Sequence, residues 1–174
     1  NLTTKGEPIG REYTIYSAIE SENLEFLVKE VEGGYFSPKL KYLKKGDFVK
    51  LNGPLGRFCL DIINKDTHKH VFIATGTGIA PFHSMVKSFP GIDYHIIHGV
   101  RYSDEAYEKE EYSKTRYTLC TSRDDSGDFN GRLTEYLKQV EFAKNTCFYL
   151  CGNNEMIYDV TEVIKDKGFD NKSI

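Results

Sequence analysis

Two glycines, Gly76 and Gly78, end one apolar run and open a stretch of helical spacing in the string ATGTGIAPF. Glycine has no Cβ, so backbone N–H groups at such a turn can come close to an anion. Pro81 suits the first turn of the helix that follows, whose unpaired N–H groups attract negative charge. The turn is therefore a candidate phosphate site, although Pro81 stands where the usual GxGxxG fingerprint has its last glycine. A second group is cationic: Arg101 follows the next apolar run, Ser122 and Arg123 follow the one after, and Arg132 opens a later helical pattern. A hydroxyl with two or three guanidiniums can grip a phosphate monoester through charge-assisted hydrogen bonds. No carboxylate closes the second run, where an ordinary dinucleotide fold needs one for the ribose hydroxyls. Taken singly, a glycine turn is as often only a turn, and a lone arginine is usually a solvated charge. Their shared placement at the ends of apolar runs is what carries the reading.

Four such runs, over residues 70–74, 94–98, 117–121 and 147–151, must position these groups. Each precedes a helical pattern. The first shows Phe82, Met85, Val86 and Phe89; the second is a polar helix over 104–111 with Ser103 as its N-cap; the third lies around 132–140. The fourth presents Met156, Val160, Val163 and Ile164 on one face and closes at Gly168. Strand–helix alternation repeated four times predicts a parallel sheet with helices on both faces, and ligands in such sheets bind beyond the carboxyl ends of the strands. Up to about Asp66 the rhythm differs. Residues 13–17, 24–31, 48–52 and 57–62 read as short strands between turns such as Gly33-Gly34, Gly53-Pro54 and Lys45-Gly46-Asp47, with one short helix over 38–43. Several short strands in so little chain predict a small barrel or sandwich.

The 174 residues are 39% apolar and 28% charged, an ordinary globular composition, and a net charge of −3 gives no basic surface for nucleic acid. No apolar run reaches the length of a membrane span. Cys59, Cys120, Cys147 and Cys151 form no CxxC pair and spell out neither a zinc nor a cluster site, so reduced thiols and a cytoplasmic location are expected. His68, His70, His95 and His98 make no HExxH-like pattern and read as solvated or core histidines, so no metal is expected.

In order and spacing, REYTIYS, GGYFSPKL, GPLGRF, ATGTGIAPF, HGVR, TSRD and YLCGNNEM resemble the ferredoxin–NADP reductase superfamily, most closely its bacterial ferredoxin/flavodoxin–NADP reductase branch. The resemblance covers nearly the whole chain. It implies a β + α/β architecture: an antiparallel FAD-binding barrel over residues 1–66, N-terminally truncated, then a parallel-sheet α/β NADP-binding domain over 67–174 lacking its last strand. The implied cofactors are FAD and NADP(H). By the same resemblance Arg11 pairs with the FAD pyrophosphate, Tyr13 covers the flavin ring, and Thr14 hydrogen-bonds near flavin N5. Gly34, Tyr35, Phe36 and Ser37 match the segment around the FAD phosphates. Thr75, Gly76 and Gly78 match the segment receiving nicotinamide and pyrophosphate, and Cys151 and Gly152 match the pair beside the nicotinamide. Thr14 and Cys151 are thus the implied catalytic positions, supplying geometry rather than a nucleophile. Ser122, Arg123 and Arg132, with Arg101, match the positions that hold the 2′-phosphate of NADP.

The implied activity is hydride exchange between NADPH and FAD and single-electron exchange with an acidic ferredoxin or flavodoxin, by a monomer independent of membranes. Lys39, Lys41, Lys44 and Lys45 form a basic cluster that either docks such a carrier or is a solvated face. In the family the barrel begins well before the RxYT motif and a further strand follows Gly168, so this chain is expected to be cut at both ends. Two rivals stay open: an NADH-dependent reductase serving an oxygenase or haem partner, and a nucleotide-binding subunit without turnover.

Overall fold

In the computed structural model, residues 3–4, 7–8, 10–63, 65–107 and 109–174 are described. The chain's first described elements are two short strands, β1 (Thr3–Thr4) paired antiparallel with β2 (Glu7–Pro8). Its next regular element is a single turn of helix, α1 (Ser37–Leu40), which has proline in its first turn. Three of the expected turns and pairings recur: Gly34 N–H donates to the Val31 carbonyl at 2.8 Å, Asp47 N–H donates to the Lys44 carbonyl at 2.9 Å, and Ile15 faces Phe26 across an antiparallel bridge.

The antiparallel ladder expected over residues 13–62 is otherwise not seen among the described residues. Segments 48–52 and 57–62 run as irregular chain, and Phe48 is 99% exposed, with Leu51, Leu55 and Ile62 also largely in solvent. Alternating apolar residues form a strand only where a neighbouring strand supplies the second row of hydrogen bonds and a buried face. Among the described residues no strand pairs with 48–62, and of its apolar residues only Leu60 is buried.

The second part follows the predicted alternation. Strand β3 (Lys69–Thr75) leads through a 3₁₀ turn (Gly76–Ile79) into helix α2 (Ala80–Ser88). Then come β4 (Tyr94–Val100), β5 (Tyr117–Thr121), the two-residue β6 (Phe129–Asn130), α3 (Leu133–Gln139), β7 (Thr146–Cys151) and α4 (Asn154–Asp166). The five strands lie in the order β6-β5-β4-β3-β7, every pair parallel. One sheet face buries Phe72, Ala74 and Ile96 under Phe82, Met85 and Val86 of α2, with Leu60 from the N-terminal part in the same cluster. The other buries Val71, Ile73 and Ile97 under Leu133 and Leu137 of α3 and Val160, Val163 and Ile164 of α4.

The polar helix expected over 104–111 is two separate 3₁₀ turns instead, Ser103–Glu105 and Lys109–Glu111, and Tyr102 rather than Ser103 caps the first. A continuous helix there would have a charged surface on nearly every face. The chain breaks at Ala106 (ψ 69°), and both Ala106 and Tyr112 turn into the core. Strand β6 was not anticipated, since two residues carry no periodicity.

Candidate functional site

All five strands are parallel, so their carboxyl ends share one edge of the sheet, and most of the predicted site residues lie there. Thr75 ends β3, and Gly76 turns the chain with φ 52°, a conformation that favours glycine. Gly78 lies so close to β7 that a Cβ would collide with the carbonyl of Cys151, and a Cβ on Gly152 would collide with Thr75 Oγ1. Asn153 N–H donates to Thr75 Oγ1 at 3.3 Å, and the Asn153 side chain accepts Met156 N–H at 2.8 Å, capping α4. Thr75, Gly76, Gly78, Cys151 and Gly152 therefore form one interlocked group. Cys151 is half-buried, and burial pushes its thiol up, so it stays a neutral thiol near pH 7.

A residue that reads in the sequence only as a core or solvated histidine lies beneath this group. His98, near the end of β4, is 1% exposed; its Nε2 lies 2.8 Å from the Gly76 carbonyl and its Nδ1 2.7 Å from the Tyr117 hydroxyl. A carbonyl only accepts, so Nε2 carries the proton, and Nδ1 accepts from the Tyr117 O–H. Burial lowers the His98 pKa to about 4 and raises that of Tyr117, so both stay neutral. The only sequence signal was the position of His98 in HGVR, three residues before Arg101.

One strand further along, the cationic residues line up. Ser122 N–H donates to the Val100 carbonyl at 3.1 Å and Arg123 N–H to the Arg101 carbonyl at 2.9 Å, so Arg101 and Arg123 leave adjacent strand ends side by side. Gly131 N–H donates to the Thr121 carbonyl at 2.7 Å, bringing Arg132 to the same edge as N-cap of α3. The Arg132 N–H is accepted by Glu135 Oε2 at 3.1 Å. Arg101, Ser122, Arg123 and Arg132 are all exposed.

The third group belongs to the N-terminal part. Tyr13 is half-buried, its ring 6.1 Å from that of Phe36 at 28°, so the RxYT segment lies beside the Gly34–Phe36 stretch. Ser37 is buried and its hydroxyl accepts Val31 N–H at 2.9 Å. Tyr35 is exposed beneath the Lys39 ammonium, 3.6 Å from its ring centre. Thr14 is exposed, and so is Arg11, whose guanidinium donates to the Gly10 carbonyl at 2.8 Å.

Helix α2 joins this group to the sheet edge. His83 Nδ1 donates to the Tyr16 carbonyl at 2.8 Å and Ser84 Oγ to the Ser17 carbonyl at 2.7 Å, while Ser88 Oγ accepts Ile19 N–H at 3.0 Å. The rings of Tyr16 and His83 stack at 3.7 Å and 3°. The apolar periodicity of α2 carries no sign of these polar contacts.

The sheet edge suits a nucleotide carrying phosphates. Glycines open the backbone at the start of α2, the half-buried Thr75 and Cys151 flank them, and exposed arginines stand at neighbouring strand ends. A parallel sheet with this edge, tied to a segment of RxYT type, defines a flavin- and nicotinamide-dependent oxidoreductase module. Comparison with known proteins agrees: residues 1–59 match the oxidoreductase FAD-binding domain and residues 72–162 the oxidoreductase NAD-binding domain. The ferredoxin–NADP reductase of Azotobacter vinelandii is 32% identical, over 96% of this chain and 76% of that protein. The toluate 1,2-dioxygenase electron transfer component of Pseudomonas putida is 30% identical over 97% of this chain, which spans only 53% of that relative. Among solved structures, the ferredoxin NADP+ reductase of Neisseria gonorrhoeae with bound FAD and NADP superposes with a TM-score of 0.82, at 26% identity, over 98% of this chain and 77% of that one. The chain belongs to the ferredoxin–NADP reductase superfamily, with FAD and a nicotinamide dinucleotide as its cofactors. Among the described residues, no helix is long and apolar enough to cross a membrane.

Proposed function

We propose that this chain is the catalytic part of an NADPH-dependent ferredoxin or flavodoxin reductase, with residues 1–66 serving the flavin and 67–174 the nicotinamide nucleotide. When bound, FAD exchanges hydride with the nicotinamide and single electrons with a carrier protein. The observation that carries the choice of NADPH is the pairing of Arg101 and Arg123 on adjacent strand ends, with Ser122 next to Arg123 and Arg132 on the same edge. That set offers a 2′-phosphate two or more guanidiniums and a hydroxyl without moving the backbone.

The other residues divide the remaining work. Arg11 and the Gly34, Tyr35, Phe36 and Ser37 stretch would hold the FAD phosphates, Tyr13 would cover the flavin and exclude water, and Thr14 would supply a hydrogen bond to the flavin while leaving room for the nicotinamide. Thr75, Gly76 and Gly78 with Cys151 and Gly152 seat the nicotinamide. Cys151 orients and takes no proton, in keeping with a thiol that burial keeps protonated. The protein acts as a monomer in the cytoplasm, and its lysines 39, 41, 44 and 45 meet an acidic carrier.

The similarity to the toluate dioxygenase component favours a second reading, a reductase that feeds an oxygenase, and in that reading the nucleotide is NADH. Anaerobic bleaching of the flavin absorbance, with NADPH and NADH in parallel, separates the two. The first reading expects fast bleaching by NADPH and slow bleaching by NADH. Equal or faster bleaching by NADH keeps the reductase and removes the NADPH assignment. In the same assay Arg123→Ala should raise the NADPH KM roughly 10- to 100-fold, as expected for one lost charge-assisted pair, and leave the NADH KM unchanged.

A further inference from the structure

The last backbone rung between β4 and β5, Arg123 N–H to the Arg101 carbonyl, joins the two arginines, but beyond it the loops part and the ladder no longer holds them. One side chain crosses the gap. Asp124 Oδ2 accepts Ser103 N–H at 2.6 Å, two residues past Arg101, and its Oδ1 accepts Ser126 N–H at 3.0 Å. Its carbonyl accepts the hydroxyl of Thr121 at 2.8 Å, and Thr121 Oγ1 in turn accepts Gly127 N–H at 3.2 Å. Thr121 is 1% exposed, so this turn is anchored in the sheet.

We propose that Asp124 is a positioning residue for 2′-phosphate recognition, holding the Arg101 loop against the Arg123 loop so that both guanidiniums are placed before the nucleotide arrives. The proposal rests on the NADPH reading above. Two like charges on adjacent strand ends repel, and the loops that bear them would splay without a tie. A carboxylate that bridges the loops opposes this twice, through its hydrogen bonds and through its charge. The two N–H donors, Ser103 first, hold the Asp124 carboxyl below the usual carboxylate range, so the tie is intact at neutral pH. Preplacing the cations matters because ordering them at the moment of binding would cost affinity. A carboxylate beside a phosphate also repels it, so the sign of the effect separates the two roles: a positioning residue strengthens binding, whereas a mere neighbouring charge weakens it.

The test is calorimetric titration of the full chain with 2′,5′-ADP and with AMP, a readout independent of flavin turnover. Asp124→Ala should weaken 2′,5′-ADP about tenfold, the scale of one lost charged hydrogen bond, and leave AMP unchanged. Asp124→Asn, which keeps an acceptor oxygen, should fall between the two. Ser103→Pro removes the N–H donor but leaves the carboxylate. It stands at the first position of its 3₁₀ turn after Tyr102 at φ −127° and ψ 147°, a backbone that proline accepts, and it should reproduce the Asp124→Ala loss. Unchanged or tighter 2′,5′-ADP binding by Asp124→Ala, or equal weakening of both nucleotides, overturns the proposal while the NADPH reading stands. A wild-type chain that does not prefer 2′,5′-ADP to AMP overturns that reading, and this proposal with it.

Discussion

His98 supports the glycine turn from below with a single proton whose position is fixed by its partners. Its folded pKa of about 4 lies below the ordinary 6.5, so between those values the unfolded chain binds a proton that the folded chain does not. Stability therefore rises with pH across that window and is lost as pH falls through it, by on the order of 3 kcal/mol from this group. Replacing it by glutamine, whose amide can still donate to the Gly76 carbonyl, should cost about 1–2 kcal/mol at pH 7 and remove this part of the acid loss. Urea unfolding of both proteins at pH 7 and at about pH 5 checks this, and parallel losses would rule it out. At this scale the sequence was uneven. Gly76 and Gly78 were legible because a turn that comes close to an anion favours glycine, Gly152 only through the family resemblance, and the arginines because charge at strand ends is conspicuous. A histidine inside an apolar run looks like core, and only the fold brings the Gly76 carbonyl to it from 22 residues away.

Among the elements, α2 does two tasks: its start receives the glycine turn, and its flank grips Tyr16, Ser17 and Ile19. Ser88 Oγ also donates to the Ser84 backbone carbonyl at 2.6 Å, so the Ser88 hydroxyl is fixed within the helix as it reaches across. Replacing Ser84 and Ser88 together by alanine should cost about 1–3 kcal/mol and loosen the N-terminal part first. Hydrogen exchange should then quicken at Tyr16 and Ile19 while β3 and β4 keep their protection; uniform quickening would count against α2 as the joint. The parallel sheet was readable because its strands are buried on both faces and form continuous apolar runs. The strands expected over 48–62 were not realised, because their alternation needs a ladder partner that the described residues do not provide. The polar stretch 104–111 does not form one helix because the core claims Ala106 within it and Tyr112 just after it.

At the scale of the whole molecule, Lys29 and Glu105 form an ion pair that links the N-terminal part to the loop after β4, and Glu105 Oε2 also accepts Arg101 N–H at 3.0 Å. Lys29 is 46% exposed and Glu105 20%, so the pair is worth no more than about 1 kcal/mol and is screened by salt. Lys29→Ala should lower the urea midpoint modestly at low ionic strength, and the difference should shrink toward zero at about 1 M salt. A difference that persists would assign the loss to the packing of the lysine stem rather than to its charge. The stack of Tyr16 on His83 crosses the same boundary, and its geometry has a spectroscopic consequence. At 3.7 Å and nearly parallel, the imidazole C–H protons lie over the face of the phenol ring, in its shielding region. The His83 resonances should therefore appear upfield of ordinary histidine protons and drift back whenever the two parts separate, giving the chain a proton-NMR gauge of its own closure that requires no added label.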